Sequence, residues 1–107
     1  MIMAWTPLCQ LDELKEGSGR YVEVGRFQLA VFLHHGQPRV MDNYCPHAGG
    51  NLAGGIIEDN CAICPWHAWA FRLDNGELLD CPAVKVETYQ SRIRENSIEA
   101  DLPLGLR

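Results

Sequence analysis

The chain has 107 residues, of which 47% are hydrophobic, and its formal net charge is −5. This length and composition predict a single domain spanning residues 1–107, with one modest core and no room for a second catalytic domain. The acidic balance argues against nucleic acid as a partner, because the nine Lys and Arg residues are scattered and do not form a basic stripe.

The N-terminus lacks the basic start and apolar stretch of a secretory signal. No apolar run approaches the roughly 18 residues that a membrane span requires, so no contact with a membrane is expected. The five cysteines are an odd number, which suits a reducing compartment better than a disulfide-paired exported protein. We therefore expect a cytoplasmic protein.

Short runs of alternating apolar and polar residues, separated by turn residues, predict an all-β fold. A helical turn is expected at residues 11–15, and the His34-to-Pro38 segment reads as a hairpin turn, in which His34 and His35 would be solvated. The strands predicted in this first part of the chain are residues 4–9, 20–24, 27–33 and 39–42.

Between residues 43 and about 82 the composition changes, because four of the five cysteines fall there. We predict that this segment forms a small loop-rich subdomain on a base made of residues 1–42 and 83–107. Hairpins are expected around Glu58-Asp59-Asn60 and Asp74-Asn75-Gly76, since such residues tolerate the positive φ angles of tight turns. The predicted strands are 55–57, 61–63, 70–73 and 77–79 in the subdomain, then 84–89, 91–94 and 97–100.

Two strings in this segment, Cys45-Pro46-His47 and Cys64-Pro65-Trp66-His67, are separated by sixteen residues. They offer two thiolates and two imidazoles in matched pairs. This is the ligand set of a [2Fe–2S] cluster in which two histidines replace two cysteines on one iron. The hairpin predicted at residues 58–60 would bring the two strings side by side.

The charge of such a cluster indicates its role. Two ferric ions, two sulfides, two thiolates and two neutral imidazoles sum to zero, and one added electron gives a charge of minus one. An all-cysteine cluster is two units more negative in each state, so the imidazoles raise the reduction potential. We therefore expect a chain that transfers electrons and is not catalytic alone.

This constellation resembles the Rieske family, closely over residues 43–82 and loosely elsewhere. The resemblance implies a Rieske-like fold, with an antiparallel β-sandwich base that carries a cluster-binding subdomain, and one [2Fe–2S] cluster. It further implies that Cys45 and Cys64 hold the inner iron, and that His47 and His67 hold the outer iron at an exposed tip.

High-potential members of that family carry a disulfide between the two ligand loops, and a serine and a tyrosine that donate hydrogen bonds to the cluster. Here Gly50 and Trp66 stand at the positions of those cysteines, and Trp69 and Phe71 at those of the hydroxyls. Fewer donors stabilise the reduced state less, which predicts a potential of roughly −150 mV.

Two further positions depart from the family pattern. A glycine usually follows the second histidine, and this chain has Ala68; an aspartate often follows the later aromatic residue, and this chain has Arg72. Neither difference removes a metal ligand.

The resemblance implies a soluble electron carrier between a flavin-dependent reductase and a terminal oxygenase or other oxidoreductase. The alternative is the small Rieske-like subunit of an NAD(P)H nitrite reductase, held by its large subunit. The ligand loops lack charged side chains, and we expect a small apolar docking collar around the histidine edges. Its predicted members are Ala48, Leu52, Pro65 and Trp66.

A different class of function stays open at this point, because two cysteines and two histidines can also hold one structural zinc in an interaction module. Cys61 and Cys64 form a C-x2-C pair, but a second such pair is missing, so Cys61 is interpreted as a buried strand thiol. Cys9 and Cys81 are expected to be buried small residues, and Trp69 to be a packing residue.

Overall fold

The computed structural model describes residues 2–44, 51–65 and 68–104. These residues form twelve strands and two 3-10 turns, at Leu11–Glu13 and Leu52–Gly54. The strands are β1 (Ile2–Gln10), β2 (Gly19–Val24), β3 (Phe27–His34), β4 (Gln37–Asp42), β5 (Ile56–Glu58), β6 (Cys61–Ile63), β7 (Ala70–Arg72), β8 (Glu77–Leu78), β9 (Cys81–Lys85), β10 (Thr88–Tyr89), β11 (Ser91–Arg94) and β12 (Ser97–Leu104).

The strands pair antiparallel in three sheets, which confirms the predicted all-β class. A three-stranded sheet has the order β1-β12-β11, and a four-stranded sheet the order β10-β4-β3-β2. A five-stranded sheet has the order β5-β6-β7-β8-β9 and contains the hairpin predicted between the two ligand strings. Within the described ranges, no helix is long and apolar enough to cross a membrane.

The four-stranded sheet lies between two cores because alternate residues of a strand point to opposite faces. Leu29 and Val31 of β3 belong to one core, and Ala30 and Phe32 to the other. The first core packs against the three-stranded sheet through Ile98 and neighbouring β12 residues. The second core joins the four-stranded sheet to the five-stranded one; its further buried members are Met41, Leu52, Ala53, Ala62, Cys64, Phe71, Leu73, Leu78 and Val86.

Two hairpin turns confirm the local sequence signals. The β3–β4 turn has positive φ angles at His35 (54°) and Gly36 (75°), and the β5–β6 turn has them at Asp59 (51°) and Asn60 (65°). Consecutive positive φ angles are the backbone of the two-residue turns that match the twist of paired strands. The β5–β6 hairpin therefore forms as predicted between the two ligand strings, with strand limits that differ by one residue in β5.

The Asp74-Asn75-Gly76 signal also marks a turn, but a longer one than a two-residue hairpin. Strand β7 ends at Arg72 and β8 begins at Glu77, and the Gly76 N–H donates to the Arg72 carbonyl at 2.8 Å. Asn75 Oδ1 accepts the Glu77 N–H at 2.9 Å. Gly76 has φ +78°, and a Cβ there would lie 2.1 Å from the Val86 carbonyl oxygen, so glycine is required at this position.

The single strand predicted at residues 84–89 is wrong, because the chain changes sheets within it. Strand β9 pairs with β8 in the five-stranded sheet, and β10 pairs with β4 in the four-stranded sheet. Between them, the Val86 N–H donates to the Gly76 carbonyl at 3.0 Å, and the Glu87 carbonyl accepts the Asp42 N–H at 2.9 Å. The division into a 43–82 subdomain and a base stays a prediction.

The helical turn expected at residues 11–15 is a shorter 3-10 turn, Leu11–Glu13. The Glu13 carboxylate accepts the Gln10 N–H at 2.8 Å, which caps the start of the turn. The second 3-10 turn, Leu52–Gly54, has no counterpart among the predicted elements, and it lies directly beside the candidate site.

Candidate metal centre

Of the four predicted metal ligands, the structure describes Cys64. This residue follows β6, is 0% exposed, and belongs to the core between the four- and five-stranded sheets. Cys45, His47 and His67 lie outside the described residues. The chain segments that lead into and out of both ligand strings are described, and they define how the two loops are held.

The first ligand loop is closed at its base by Asn43 and by a bridge between Tyr44 and Asn51. Asn43 is 1% exposed. Its carbonyl accepts the Leu52 N–H at 2.7 Å, and its side-chain Oδ1 accepts the Ala53 N–H at 2.9 Å. Sequence reasoning treated Asn43 only as the start of the loop-rich segment, because a single polar residue between a strand and a cysteine gives no signal of such contacts.

The second ligand loop is closed by a hydrogen bond from the Cys64 N–H to the Trp69 carbonyl at 2.7 Å. Ala68, inside this loop, has φ +56°. This left-handed conformation is unfavourable for residues with a Cβ and free of that penalty for glycine. It gives a physical reason for the glycine that usually occupies this position in the resembling family.

The bases of the two loops touch at Gly55. A Cβ on Gly55 would lie 1.9 Å from the Ile63 carbonyl oxygen and 3.3 Å from Cδ of Pro65. Glycine is therefore required at residue 55 for this approach to the second loop. Two closed loops in contact fit a metal group that takes one thiolate and one imidazole from each.

The exposed residues in the described parts of the two ligand loops carry no charge. Pro65 and Ala68 are exposed. Leu52 is 0% exposed, so its predicted place in the docking collar is wrong. It begins the second 3-10 turn and packs in the core between the sheets. Ala48 and Trp66 lie outside the described residues.

The comparison with known proteins decides the family. The model of the Rieske [2Fe-2S] domain matches residues 4–90. The chain belongs to the Rieske family. This confirms the predicted fold and indicates one [2Fe–2S] cluster as its cofactor, which favours the two-iron site over the zinc site.

Two solved structures match the fold over nearly the whole chain. A protein described as the small subunit of an NADH-dependent nitrite reductase from Mycobacterium tuberculosis has a TM-score of 0.88 and 31% identity, covering 95% of this chain and 97% of its own. A ferredoxin of Sphingomonas yanoikuyae B1 has a TM-score of 0.83 and 27% identity, covering 94% of this chain and 100% of its own.

Similar curated proteins differ in length. The ferredoxin subunit of 3-phenylpropionate/cinnamic acid dioxygenase from Photorhabdus laumondii is 31% identical over 93 residues, 85% of this chain and 88% of that protein. Cholesterol 7-desaturase of Hemicentrotus pulcherrimus is 36% identical over 80 residues. The Rieske chain spans 17% of the length of that desaturase and 24% of the one from Caenorhabditis elegans.

Two aromatic residues, Trp69 and Phe71, follow the second ligand string of the Rieske domain. Phe71 is 0% exposed in the core. Trp69 is half-buried and packs against that core, as predicted, with its ring centroid 6.4 Å from that of Phe71. The Arg72 guanidinium binds the Asp74 carboxylate through two hydrogen bonds of 3.2 and 3.0 Å. Arg72 therefore forms an exposed ion pair with a nearby turn residue.

Asp42, at the end of β4, precedes the first ligand loop of the Rieske domain. Its carboxylate accepts the Tyr89 hydroxyl at 2.8 Å. Burial, followed by repulsion from Glu87, raises the pKa of Asp42 against the lowering effect of the Tyr89 hydrogen bond. Burial and the neighbouring Asp42 carboxylate raise the pKa of Tyr89 well above its usual value, so this phenol stays protonated as a donor.

The remaining cysteines of the Rieske chain differ in exposure. Cys61 is a buried thiol in β6, as predicted, and Cys9 is half-buried. Burial raises the pKa of both thiols. The prediction that Cys81 is buried is wrong, because it begins β9, an edge strand of the five-stranded sheet, and is exposed.

His34 at the end of β3 and His35 in the β3–β4 turn differ in exposure. His35 is exposed, as predicted, and its ring stacks on that of His34 with centroids 3.9 Å apart. His34 is half-buried, and its Nε2 lies 2.6 Å from Oδ1 of Asn60. This contact joins the turn of the four-stranded sheet to the β5–β6 turn.

Proposed function

We propose that this chain is a one-electron carrier whose Rieske cluster is bound by Cys45, His47, Cys64 and His67. The observation that carries the proposal is the contact at Gly55, where the closed bases of the two ligand loops meet. When bound, the cluster supplies reversible one-electron reduction at iron, with the overall charge changing from zero to minus one. The chain itself supplies ligands, shape and exclusion of water.

The described residues divide these tasks. The Cys64 thiol lies in a buried apolar setting with Leu52 and Phe71, which keeps water from that side of the site. Pro65 and Ala68, on the exposed side of the second loop, are uncharged. A partner can approach such a surface without displacing ion pairs, and redox encounters of this kind bury less than about 1,200 Å².

For the partners, we infer transfer from a flavin-dependent reductase to a terminal oxygenase in the cytoplasm. The similarity to a dioxygenase ferredoxin subunit over most of both chains supports this assignment. The alternative is a subunit bound to the large subunit of a nitrite reductase, which the similarity to a nitrite reductase small subunit supports. In either case we propose that the chain does not turn over substrate alone.

The ligand assignment is tested by a matched pair of substitutions in anaerobically purified protein. Wild type is expected to hold two irons and two sulfides per chain and to give the rhombic reduced-state EPR signal of a histidine-ligated cluster. His67→Cys is expected to lower the potential and abolish that signal, while His34→Cys, at the end of β3, leaves both unchanged. A colourless wild-type protein with one tightly bound zinc would refute the assignment.

The two partner assignments are distinguished by residence time. A carrier reduces its oxygenase at catalytic concentration and elutes alone in size-exclusion chromatography. A nitrite reductase subunit co-elutes with a flavin and sirohaem protein at a fixed ratio when purified from its native host. Stable co-elution with such a protein would contradict the carrier role and support the alternative.

A further inference from the structure

Asn43 is the one buried polar residue within residues 2–44, 51–65 and 68–104. Its backbone N–H donates to the Gln28 carbonyl at 2.9 Å, which ties it to β3 of the four-stranded sheet. Its carbonyl and its side-chain Oδ1 accept the N–H groups of Leu52 and Ala53. Asn43 thus connects the four-stranded sheet to both sides of the first ligand loop.

The second 3-10 turn extends this connection to the other loop. After Leu52 and Ala53, the Gly55 N–H donates to the Leu52 carbonyl at 3.0 Å, which completes the turn. Gly55 then meets the Ile63 carbonyl and Pro65, the two neighbours of Cys64 in sequence. The opposite side of the turn is also closely packed, since a Cβ on Gly19 of β2 would lie 2.8 Å from the Ala53 carbonyl oxygen. The turn has little room to shift.

We propose that Asn43 is a positioning residue that aligns the first ligand string with the second, acting through the Leu52–Gly54 turn. The inference rests on the proposed function, because it concerns how that site holds its cluster. Asn43→Ala leaves the buried Ala53 N–H without its acceptor, a costly loss. An aspartate keeps an acceptor oxygen at the same place and is expected to restore the alignment.

Asn75 provides a matched control. Its Oδ1 also accepts a backbone N–H at 2.9 Å, in this case that of Glu77, two residues later in the sequence. That bond lies in the β7–β8 turn and touches neither ligand loop. The Asn43 bond is buried and the Asn75 bond is half-buried, so a purely structural role predicts a loss of stability in both variants, larger in Asn43→Ala, with the wild-type EPR line shape kept. A positioning role predicts a changed line shape in Asn43→Ala.

The experiment uses holoprotein under anaerobic conditions and measures two properties, the rate of iron release to a ferrous chelator and the reduced-state EPR line shape. Asn43→Ala is expected to release iron about tenfold faster, the factor that loss of one buried hydrogen bond produces, and to give a broadened signal. Asn43→Asp is expected to restore the line shape. Asn75→Ala is expected to match wild type in both properties.

Equal release rates and line shapes in Asn43→Ala and wild type would overturn the inference, as would equal acceleration in Asn43→Ala and Asn75→Ala. If Asn43→Ala does not fold, Asn43→Ser replaces it, since the shorter hydroxyl does not reach the Ala53 N–H, and the same two outcomes apply. A wild-type protein that binds no iron would instead refute the proposed function, so the two failures are distinguishable.

Discussion

Replacing Ala68 with glycine is expected to stabilise the protein. Ala68 has φ +56°, a conformation that costs a residue with a Cβ about 1–2 kcal/mol. Glycine removes this cost but gives back about 0.4–1 kcal/mol through its greater freedom in the unfolded chain. Because Ala68 is exposed, loss of its methyl group forfeits little burial. The net gain is about 0.8 kcal/mol, or a rise in Tm of about 3–6 °C for a domain near 100 residues.

The assay is denaturant unfolding of anaerobic holoprotein, followed by far-UV circular dichroism and by the visible absorption of the cluster. Ala70→Gly is the control, since the same substitution two residues later falls in β7 and is expected to cost about 0.5–1 kcal/mol. The two variants should therefore change the free energy of unfolding in opposite directions. A decrease in Ala68→Gly similar to that in Ala70→Gly would refute the strain at residue 68.

Three other predictions concern Gly55, Asp42 and Cys81. Gly55→Ala places a Cβ 1.9 Å from the Ile63 carbonyl oxygen and should lower the free energy of unfolding by about 3 kcal/mol, with loss of iron. The control is Gly54→Ala, whose Cβ has no neighbour nearer than 3.4 Å, and it should keep the wild-type iron content in metal analysis. The raised pKa of Asp42 means that the folded state binds a proton more tightly than the unfolded state, whose Asp42 has a pKa of 3.8. The free energy of unfolding therefore falls as the pH rises from 3.8 through the pKa of the folded state. Asp42→Asn should flatten this fall when unfolding is measured in urea at a series of pH values, and an unchanged pH dependence would contradict the reasoning. Cys81 should react with a maleimide in intact holoprotein, and mass spectrometry should find no label after Cys81→Ser.

The local elements were predictable because their causes are local. Asp59 and Asn60 adopt the positive φ angles that such residues tolerate, so the hairpin between the ligand strings follows from its own sequence. The strand at residues 84–89 failed for the opposite reason. Val84 and Val86 keep an apolar alternation, yet the chain leaves the five-stranded sheet after Lys85 and enters the four-stranded one at Thr88. An alternating apolar pattern indicates which side chains are buried, but it does not indicate which sheet the backbone is hydrogen-bonded to.

The errors at Leu52 and Cys81 have a related cause. Leu52 lies in a ligand loop, where exposure is a reasonable expectation, but the 3-10 turn directs it into the core. Cysteine is a residue type that is often buried, but Cys81 is exposed because β9 lies at an edge of its sheet. In both cases exposure depends on the position of the element within the fold, which the residue type does not specify.

The candidate ligands could be proposed from residue type because thiolates and imidazoles are chemically suited to iron whatever surrounds them. The groups that align them have no such signature. Gly55 is needed because the Ile63 carbonyl, eight residues later, occupies the space of a side chain, and Asn43 because the Ala53 N–H, ten residues later, requires an acceptor. The first requirement exists only after the two loops have met, and the second only after the first loop has closed. Substitution of either neutral residue should therefore weaken cluster binding, although neither supplies a ligand.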